Sequence, residues 1–316
     1  MLYVPRPAGT TMMLGGGGAR GIAHLGVLQM IDASELRVDH VVGVSMGSLV
    51  GGMYAAEPDA DMLRARAIEF LESEEFDRRY SAMLSAVPHL ATRKRRSTSG
   101  DWYSWIRKLI LTGRRIRTLL QGNSVMSNDF LAFAIENLVP DIRIEDTEIP
   151  ITILAAELHS GIPVALESGS LREAILASSS IPGVFPPIPW NEMLLCDLGI
   201  LNSLPVEIAR AYADEMLIGV DVAGAVERTE KFNHAVDIMI RMDEIGERMS
   251  RRRSAEHADI VIRPDVNRHG WFNFREPQTL IQAGRIAASQ SLRCWLSQRQ
   301  QPDSTCPNSV DLTLAP

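Results

Sequence analysis

Two short apolar segments near the start of the chain each run into a glycine-rich turn and then into a segment with helical spacing. Thr10–Leu14 leads into the turn 15–21, and residues 40–44 lead into a second turn at Ser45. Parallel strands need a crossover connection, usually a helix, so this repeated order favours a parallel sheet flanked by helices. An α/β fold is therefore the first expectation.

Hydrophobic spacing farther along the chain continues the alternation of strands and helices. Predicted strands lie at 151–156, 161–166, 193–197, 216–222 and 257–263. Predicted helices lie at 61–76, 128–138, 171–178, 205–213, 236–252 and 277–296.

Composition narrows the class of protein. The chain has 316 residues, of which 46% are hydrophobic and 22% charged, so it can form a large core and is unlike a disordered polymer. Its 32 Lys and Arg against 39 Asp and Glu leave a net charge of −7, which argues against nucleic acid as the main partner. Three widely spaced cysteines predict neither a disulfide framework nor a metal site, and no cofactor is expected.

The expected location is the cytoplasm, with any membrane contact peripheral. The first ten residues lack a signal pattern, and no run of about 18 apolar residues predicts a membrane-spanning helix. Residues 85–121 carry nine Lys or Arg against one Asp and are predicted to form an insertion, cap or lid. Basic residues beside tryptophans within 93–117 suit contact with anionic lipid, the alternative being a helix packed on the domain with solvated charges.

Residues 43–47 read Gly-Val-Ser-Met-Gly and match the Gly-x-Ser-x-Gly pattern of a nucleophile elbow. A serine hydroxyl is a weak nucleophile and needs an exposed position and an adjacent base. The pattern also arises by chance, and the alternative is a tight turn that needs only small residues. Because an apolar strand precedes it and a helical pattern follows, Ser45 is the predicted nucleophile.

The first glycine-rich turn predicts a loop whose backbone N–H groups hold an oxyanion. Residues 16–21 also fit Gly-x-Gly-x-x-Gly, but a dinucleotide site needs an acidic residue at the end of the next strand, and Asp39 precedes that strand. A plain structural turn is the remaining alternative. Arg20 could hold the loop, meet an anionic head group or lie in solvent. The predicted oxyanion and substrate-binding residues are Gly16, Gly17, Gly18, Ala19, Arg20 and Met46.

Asp197 follows the apolar segment 193–196, at the strand end where α/β sheets place catalytic groups. Paired with Ser45, its carboxylate would orient or deprotonate the hydroxyl; alone, it would be a turn or capping aspartate. Histidines decide between a dyad and a triad. Those that follow Asp197 in triad order, His234, His257 and His269, have no distinguishing context, so a Ser–Asp dyad is attractive.

Four spaced elements resemble the patatin-like phospholipase family of bacterial type. Residues 16–21 match Gly-Gly-Gly-x-Arg-Gly, 43–47 match Gly-x-Ser-x-Gly, and 197–199 match Asp-Gly-Gly/Ala except at Leu198. The loop 178–187, Ser-Ser-Ser-Ile-Pro-Gly-Val-Phe-Pro-Pro, resembles the family's loop before that aspartate.

The resemblance implies a three-layer α/β/α fold with a mostly parallel central sheet. It implies a Ser45–Asp197 dyad without a catalytic histidine, and an oxyanion held by N–H groups around Gly17, Gly18 and Ala19. Ser45 would attack a lipid ester, Asp197 would be the base, and water would release the fatty acid. Residues 10–225 would be the catalytic core, 226–297 would complete the same domain, and 298–316 would form a loose tail.

Leu198 departs from the family pattern, which has glycine after the aspartate. If that position needs a positive φ, leucine would misalign Asp197 and lower activity; otherwise Leu198 packs in the core. Two further functions stay open: a catalytically weak regulatory or adaptor protein on the same fold, and an acyltransferase. An NAD-binding oxidoreductase is disfavoured. The sequence does not predict head group, acyl-chain length or oligomeric state.

Overall fold

The computed structural model describes residues 9–34, 36–86, 124, 126–213, 215–224, 232 and 234–300. Nearly all of the basic segment 85–121, including its predicted membrane contact at 93–117, lies outside the described residues. Most of the predicted tail, 298–316, does so as well.

A central sheet with helices on both sides organises the described residues. Its strands are β1 Thr10–Leu14, β2 Val38–Val44, β3 Ile151–Glu157, β4 Ile162–Leu166, β5 Ile188–Trp190, β6 Met193–Cys196, β7 Met216–Val220 and β8 Ile260–Ile262. The α-helices are α1 Ala23–Ala33, α2 Met46–Ala56, α3 Ala60–Glu72, α4 Glu74–Ala86, α5 Asp129–Leu138, α6 Leu171–Ser179, α7 Val206–Ala209, α8 Ala235–Ala255 and α9 Pro277–Gln300.

The sheet is mostly parallel, as predicted. Strands β3, β2, β1, β7 and β8 lie side by side in that order, and each neighbouring pair is parallel. Strands β4 and β6 pair antiparallel with β3, and β5 pairs antiparallel with β6. The carboxyl ends of β1 and β2, where the two glycine-rich turns begin, therefore meet at one edge of the sheet.

Both faces of the sheet are covered, which confirms the three-layer fold. On β1, Met12 and Leu14 join the larger core cluster, whereas Met13 joins a smaller one. On β7, Ile218 and Leu217 divide in the same way. Successive strand side chains point to opposite faces, so a strand buried throughout requires a layer of structure on each side.

One predicted helix, 61–76, is wrong, because α3 and α4 are separate helices divided at Ser73. The backbone of Ser73 is extended, with a ψ of 145°. Its hydroxyl donates to the Phe70 carbonyl at 2.7 Å and accepts from the Phe76 N–H at 3.1 Å. The serine thus satisfies backbone groups at the end of one helix and the start of the next.

The C-terminal helix α9 crosses α1 at very short range. A Cβ added to Gly26 would lie 1.9 Å from the Ile281 carbonyl oxygen, and one added to Gly284 would lie 2.0 Å from that of Ala23. Leu280 of α9 is buried in the same core cluster as the N-terminal strands. Helix α9 therefore packs against α1, the helix that follows the first glycine-rich turn.

Cys196 is a buried free thiol. No helix within the described ranges is long and apolar enough to cross a membrane.

Candidate active site

Ser45 lies on the sharp turn between β2 and α2 and has φ 53° and ψ −126°. A Cβ on Gly47 would lie 2.0 Å from the Leu14 carbonyl oxygen, and one on Gly43 would lie 2.7 Å from the Ser48 Cα. Glycines are therefore required on both sides of the serine. A positive φ is costly for a residue with a side chain and persists only where the surroundings hold it.

Hydrogen bonds hold this strained turn. The Ser45 N–H donates to Ser178 Oγ at 2.9 Å, and Ser178 Oγ donates to the Leu154 carbonyl at 2.7 Å. The Ser48 hydroxyl donates to the Ser45 carbonyl at 2.6 Å. Ser178 lies on the last turn of α6 and begins the segment 178–187 that resembles the family pattern, but its supporting role was not predicted from the sequence.

Asp197 lies beside Ser45 and is only 3% exposed. Burial raises the pKa of its carboxyl group to about 7, although hydrogen bonds from the Ser45 hydroxyl and the Gly199 N–H oppose that rise. The Gly199 N–H donates to Oδ1 at 2.7 Å, and the Asp197 N–H donates to the Ser180 carbonyl at 3.0 Å. A carboxylate with a pKa near neutrality can take up and return a proton under ordinary conditions.

The sequence left two alternatives open at Leu198: a backbone with positive φ, or a side chain packed in the core. Asp197 has φ −64° and ψ 117°, and Leu198 begins a short 3₁₀ turn, Leu198–Ile200, without positive φ. The leucine side chain is 5% exposed and packs in the smaller core cluster with Val44 and Leu154. The departure from glycine therefore leaves the carboxylate aimed at Ser45.

The first glycine-rich turn lies against the nucleophile elbow. A Cβ on Gly16 would lie 3.2 Å from the Ser45 Cβ. Gly18 has φ 58°, and a Cβ there would lie 2.2 Å from the Trp271 carbonyl oxygen. Only glycine fits that position, because of both its backbone conformation and its close approach to another segment.

The loop's N–H groups differ in whether they are available to a ligand. The Gly16 N–H donates to the Ser203 carbonyl at 2.8 Å, and the Ala19 N–H donates to the Trp271 carbonyl at 2.6 Å. The Ala19 N–H, one of the predicted oxyanion donors, is therefore already paired within the protein. Within the described residues, the N–H groups of Gly17 and Gly18 have no such partner.

Met46 and Arg20 have different places in this site. Met46 begins α2, so its N–H belongs to the first helical turn, where donors have no intrahelical acceptor. Arg20 is 6% exposed; its Nε donates to the His269 carbonyl at 2.7 Å and its Nη1 to the Ala223 carbonyl at 2.8 Å. Of the three roles considered for Arg20, the structure shows the first: it ties the loop to two neighbouring segments.

Within the described part of the chain, no histidine makes a hydrogen bond with Ser45 or Asp197. His24 is fully buried, and burial lowers its pKa to about 4, so the neutral ring donates from Nε2 to the Gly15 carbonyl at 2.8 Å. His234 and His257 are exposed, at and just beyond the ends of α8, and the His269 ring faces Glu276.

A buried ionic network supports the loop from α8. Ser203, whose carbonyl accepts from Gly16, donates its hydroxyl to Glu247 Oε1 at 2.5 Å. Arg251 lies 3.2 Å from that carboxylate oxygen and donates to Asp221 Oδ1 at 2.7 Å. Burial alone would raise the pKa of Asp221, but Arg251 and then Arg263 outweigh it and lower that pKa. Charged residues four apart on one helix were the available signal, but the sequence did not identify their partners.

A sequence profile described as "Patatin-like phospholipase" matches residues 12–210. This range is more than half of the chain, and the protein belongs to the patatin-like phospholipase family.

The relatives are distant and longer. The chain is 26% identical, over an alignment 316 positions long, to an uncharacterized NTE family protein of Mycobacterium tuberculosis, covering 92% of this chain and 47% of the relative. It is 29% identical to patatin-like phospholipase domain-containing protein 6 of Mus musculus, covering 69% of this chain and 14% of that protein. The chain thus spans about half the length of the mycobacterial relative.

Among solved structures, VipD from Legionella pneumophila aligns with a TM-score of 0.46 at 16% identity, covering 92% of this chain and 67% of that chain.

Proposed function

We propose that the protein is a serine lipid acyl hydrolase of the phospholipase A, lysophospholipase or esterase type. The observation that carries the proposal is the strained Ser45, hydrogen-bonded to a buried carboxyl group whose pKa lies near neutrality. The unpaired N–H groups of Gly17 and Gly18 support it, because an oxyanion needs such donors. Membership of the patatin-like phospholipase family supports a fatty-acyl ester as substrate.

In the proposed acylation step, Ser45 Oγ attacks the ester carbonyl carbon while the Asp197 carboxylate accepts the hydroxyl proton. The negative charge forms on the carbonyl oxygen, near the N–H groups of Gly17, Gly18 and Met46. Collapse of this tetrahedral intermediate expels the alcohol, which takes the proton back from Asp197. The result is an acyl ester of Ser45.

In the proposed deacylation step, water attacks the acyl carbon of that ester and Asp197 accepts a proton from the water. The fatty acid leaves, and the proton returns to Ser45 Oγ. A pKa near 7 suits both halves of the cycle, because the same group acts first as a base and then as an acid.

The test is hydrolysis of a panel of fatty-acyl esters and phospholipids by the wild type and by Ser45→Ala. We expect kcat to fall by about a thousandfold or more, as when other hydrolases lose their nucleophile. Ser85→Ala on α4 is the matched control, because its hydroxyl only donates to the Ser81 carbonyl. Absence of turnover in a folded wild type would favour the regulatory or adaptor alternative.

Two additions separate the remaining alternatives. If acyl transfer to an added alcohol exceeds release of free fatty acid, the protein is an acyltransferase. If His234→Ala, His257→Ala or His269→Ala alone abolishes turnover, the dyad is wrong. A cytoplasmic location stays a prediction. Peripheral membrane contact through 93–117 does so as well, since that segment lies outside the described residues.

A further inference from the structure

Helix α8 has its charged side turned inward and its apolar side turned outward. Its buried or largely buried polar residues are Asp237, Glu244, Glu247, Arg251 and Ser254. Its outward side carries Ile238, Met242, Ile245 and Met249, which we call the outer stripe; Met242 and Met249 are 61% and 59% exposed. These spacings of three or four residues place the stripe on one face of the helix.

Ionic contacts explain how a helix can pack in this orientation. Arg251 bonds Asp221 at 2.7 Å and the Gly224 carbonyl at 3.1 Å, while Glu247 receives the Ser203 hydroxyl. The inner side is thus satisfied by polar partners and needs no apolar face. Among the described residues, the outer stripe stays exposed, and an exposed apolar patch on a protein marks a site of interaction.

Arginines follow one flank of the outer stripe. They are Arg241, Arg248 and Arg252, at i, i+7 and i+11; Arg241 also pairs with Glu244 at 2.8 Å, and exposed Arg253 lies at the C-terminal end. Partial burial and then neighbouring Arg252, Arg251 and Arg241 lower the pKa of Arg248, which shows how closely these cations gather. An apolar helix face edged by arginines is the pattern of a helix that lies in the surface of an anionic bilayer.

A cleft opens at the same place. Its volume is about 440 Å³, and Met249, Arg253 and His257 contribute to its lining. Glu207 also lines it, but its carboxylate accepts from Asn202 and from Ser254. The cleft therefore has Met249 of the outer stripe and the exposed Arg253 in the same lining, an arrangement that suits a lipid with an anionic head group.

We propose that the outer stripe and its flanking arginines dock the protein onto the surface of an anionic phospholipid bilayer. A second copy in antiparallel two-fold pairing suits this face less well, because that arrangement brings its basic flank toward another basic flank. The strongly basic segment 93–117 of this chain has the same sign of charge and is likewise a poor match.

Docking here would place the bilayer on the outer side of the helix whose inner side supports the glycine-rich turn. The inner side of α8 contacts Ser203, and the Ser203 carbonyl accepts the Gly16 N–H. The outer stripe is therefore separated from the residue that holds the glycine loop by one helix diameter, about 10 Å. Binding itself needs no turnover at Ser45, so it can be tested whether or not the acyl-hydrolase proposal holds.

The test is cosedimentation of the full chain with vesicles of phosphatidylcholine alone and of phosphatidylcholine with phosphatidylglycerol. We expect wild type and Ser45→Ala to bind the anionic vesicles equally, and binding to weaken with salt. Met242→Ser/Met249→Ser should weaken binding about tenfold or more through lost apolar burial. Arg248→Gln should weaken it about fivefold on the anionic vesicles.

The matched control is Met62→Ser/Ile286→Ser, which removes two exposed apolar side chains from α3 and α9 and should leave binding unchanged. Circular dichroism and urea unfolding of each variant report that the fold is intact. Equal binding by wild type and the outer-stripe variant would overturn the proposal. A wild type that does not bind anionic vesicles would also overturn it. In that case, a wild-type dimer that the outer-stripe variant converts to a monomer would assign the stripe to a second copy, and a monomer that this variant destabilises would assign it to packing within the chain.

Discussion

Asp197 is the residue at which burial and the proposed chemistry affect each other most directly. Its carboxyl group is almost inaccessible to solvent, and this burial places its pKa at about 7. The charged form is the one that can accept the Ser45 proton. The same burial that makes the group a suitable base therefore makes its charged form costly for the fold.

The pH dependence of turnover should report this carboxyl group. Because only deprotonated Asp197 can act as the base, kcat/KM is expected to rise with pH and level off above a midpoint near 7. The measurement is a pH–rate profile on a soluble ester whose own chemistry is pH-independent. A midpoint near 4, the ordinary range for aspartate, would contradict a desolvated base.

The stability of the fold should change with pH in the opposite direction. A raised pKa in the folded state contributes stability below the unfolded pKa, and this contribution is lost as pH rises through about 7. Asp197→Asn has no charge to bury. The unfolding free energy of this variant minus that of wild type should therefore grow by about 2 kcal/mol from about pH 5 to about pH 8.5. Urea unfolding of both proteins at the two pH values measures this difference, and a constant difference would contradict the burial argument.

Leu198 makes a separate residue-scale prediction. Leu198→Gly restores the family's usual residue but removes a side chain that is 5% exposed, so the free energy of unfolding should fall by about 2–4 kcal/mol. No gain in kcat/KM is expected, because the backbone there has no positive φ. Leu201→Gly, at a leucine 59% exposed, is the control and should cost about 1 kcal/mol. Increased activity of Leu198→Gly would restore the misalignment hypothesis.

At the scale of the element, α8 is held by a buried ion pair instead of an apolar face. Removing one partner of such a pair leaves the other charge buried without compensation. Arg251→Ala should therefore cost about 3–5 kcal/mol of unfolding free energy, since Asp221 and Glu247 both lose their closest cation. Thermal and urea unfolding measure the loss.

The matched control for that experiment is Arg210→Ala. Arg210 pairs with Asp259 at 2.7 Å, but both side chains are more than a third exposed, so about 0–1 kcal/mol is expected. Arg251→Ala should also lower kcat, because Glu247 positions Ser203 and through it the Gly16 N–H. Equal stability losses in the two variants would show that the network does not support α8.

At the scale of the whole molecule, the crossing of α1 and α9 joins the two ends of the described chain. Gly26→Ala would place a methyl group 1.9 Å from the Ile281 carbonyl oxygen, so the helices must separate. We expect a loss of about 3 kcal/mol or more, measured by urea unfolding. Gly246→Ala is the control: apart from the adjoining backbone of its own helix, no atom lies within 4 Å of its added Cβ, and alanine should stabilise α8 by about 0.5–1 kcal/mol. A tolerated Gly26→Ala would mean that the crossing is looser.

Features that depend on local backbone geometry could be predicted from the sequence. The strand Thr10–Leu14, the elbow around Ser45 and the glycine-rich turn each require particular residues at neighbouring positions, so their patterns are visible in the chain. The mostly parallel sheet follows from repetition of that local order. The division of 61–76 at Ser73 was missed, because a serine side chain can continue a helix or cap one.

Only the tertiary structure decided how these local pieces are used. The Ala19 N–H is taken by Trp271, the conformation of Leu198 follows from its packing against Val44 and Leu154, and the charged side of α8 faces inward because Asp221 and Ser203 lie there. Each outcome depends on residues far apart in sequence. The sequence by itself determined the turns and strands that bring Ser45 and the glycine loop to one edge of the sheet. Long-range packing determined which donors stay free, how deeply Asp197 is buried beside the serine, and which face of α8 is exposed among the described residues.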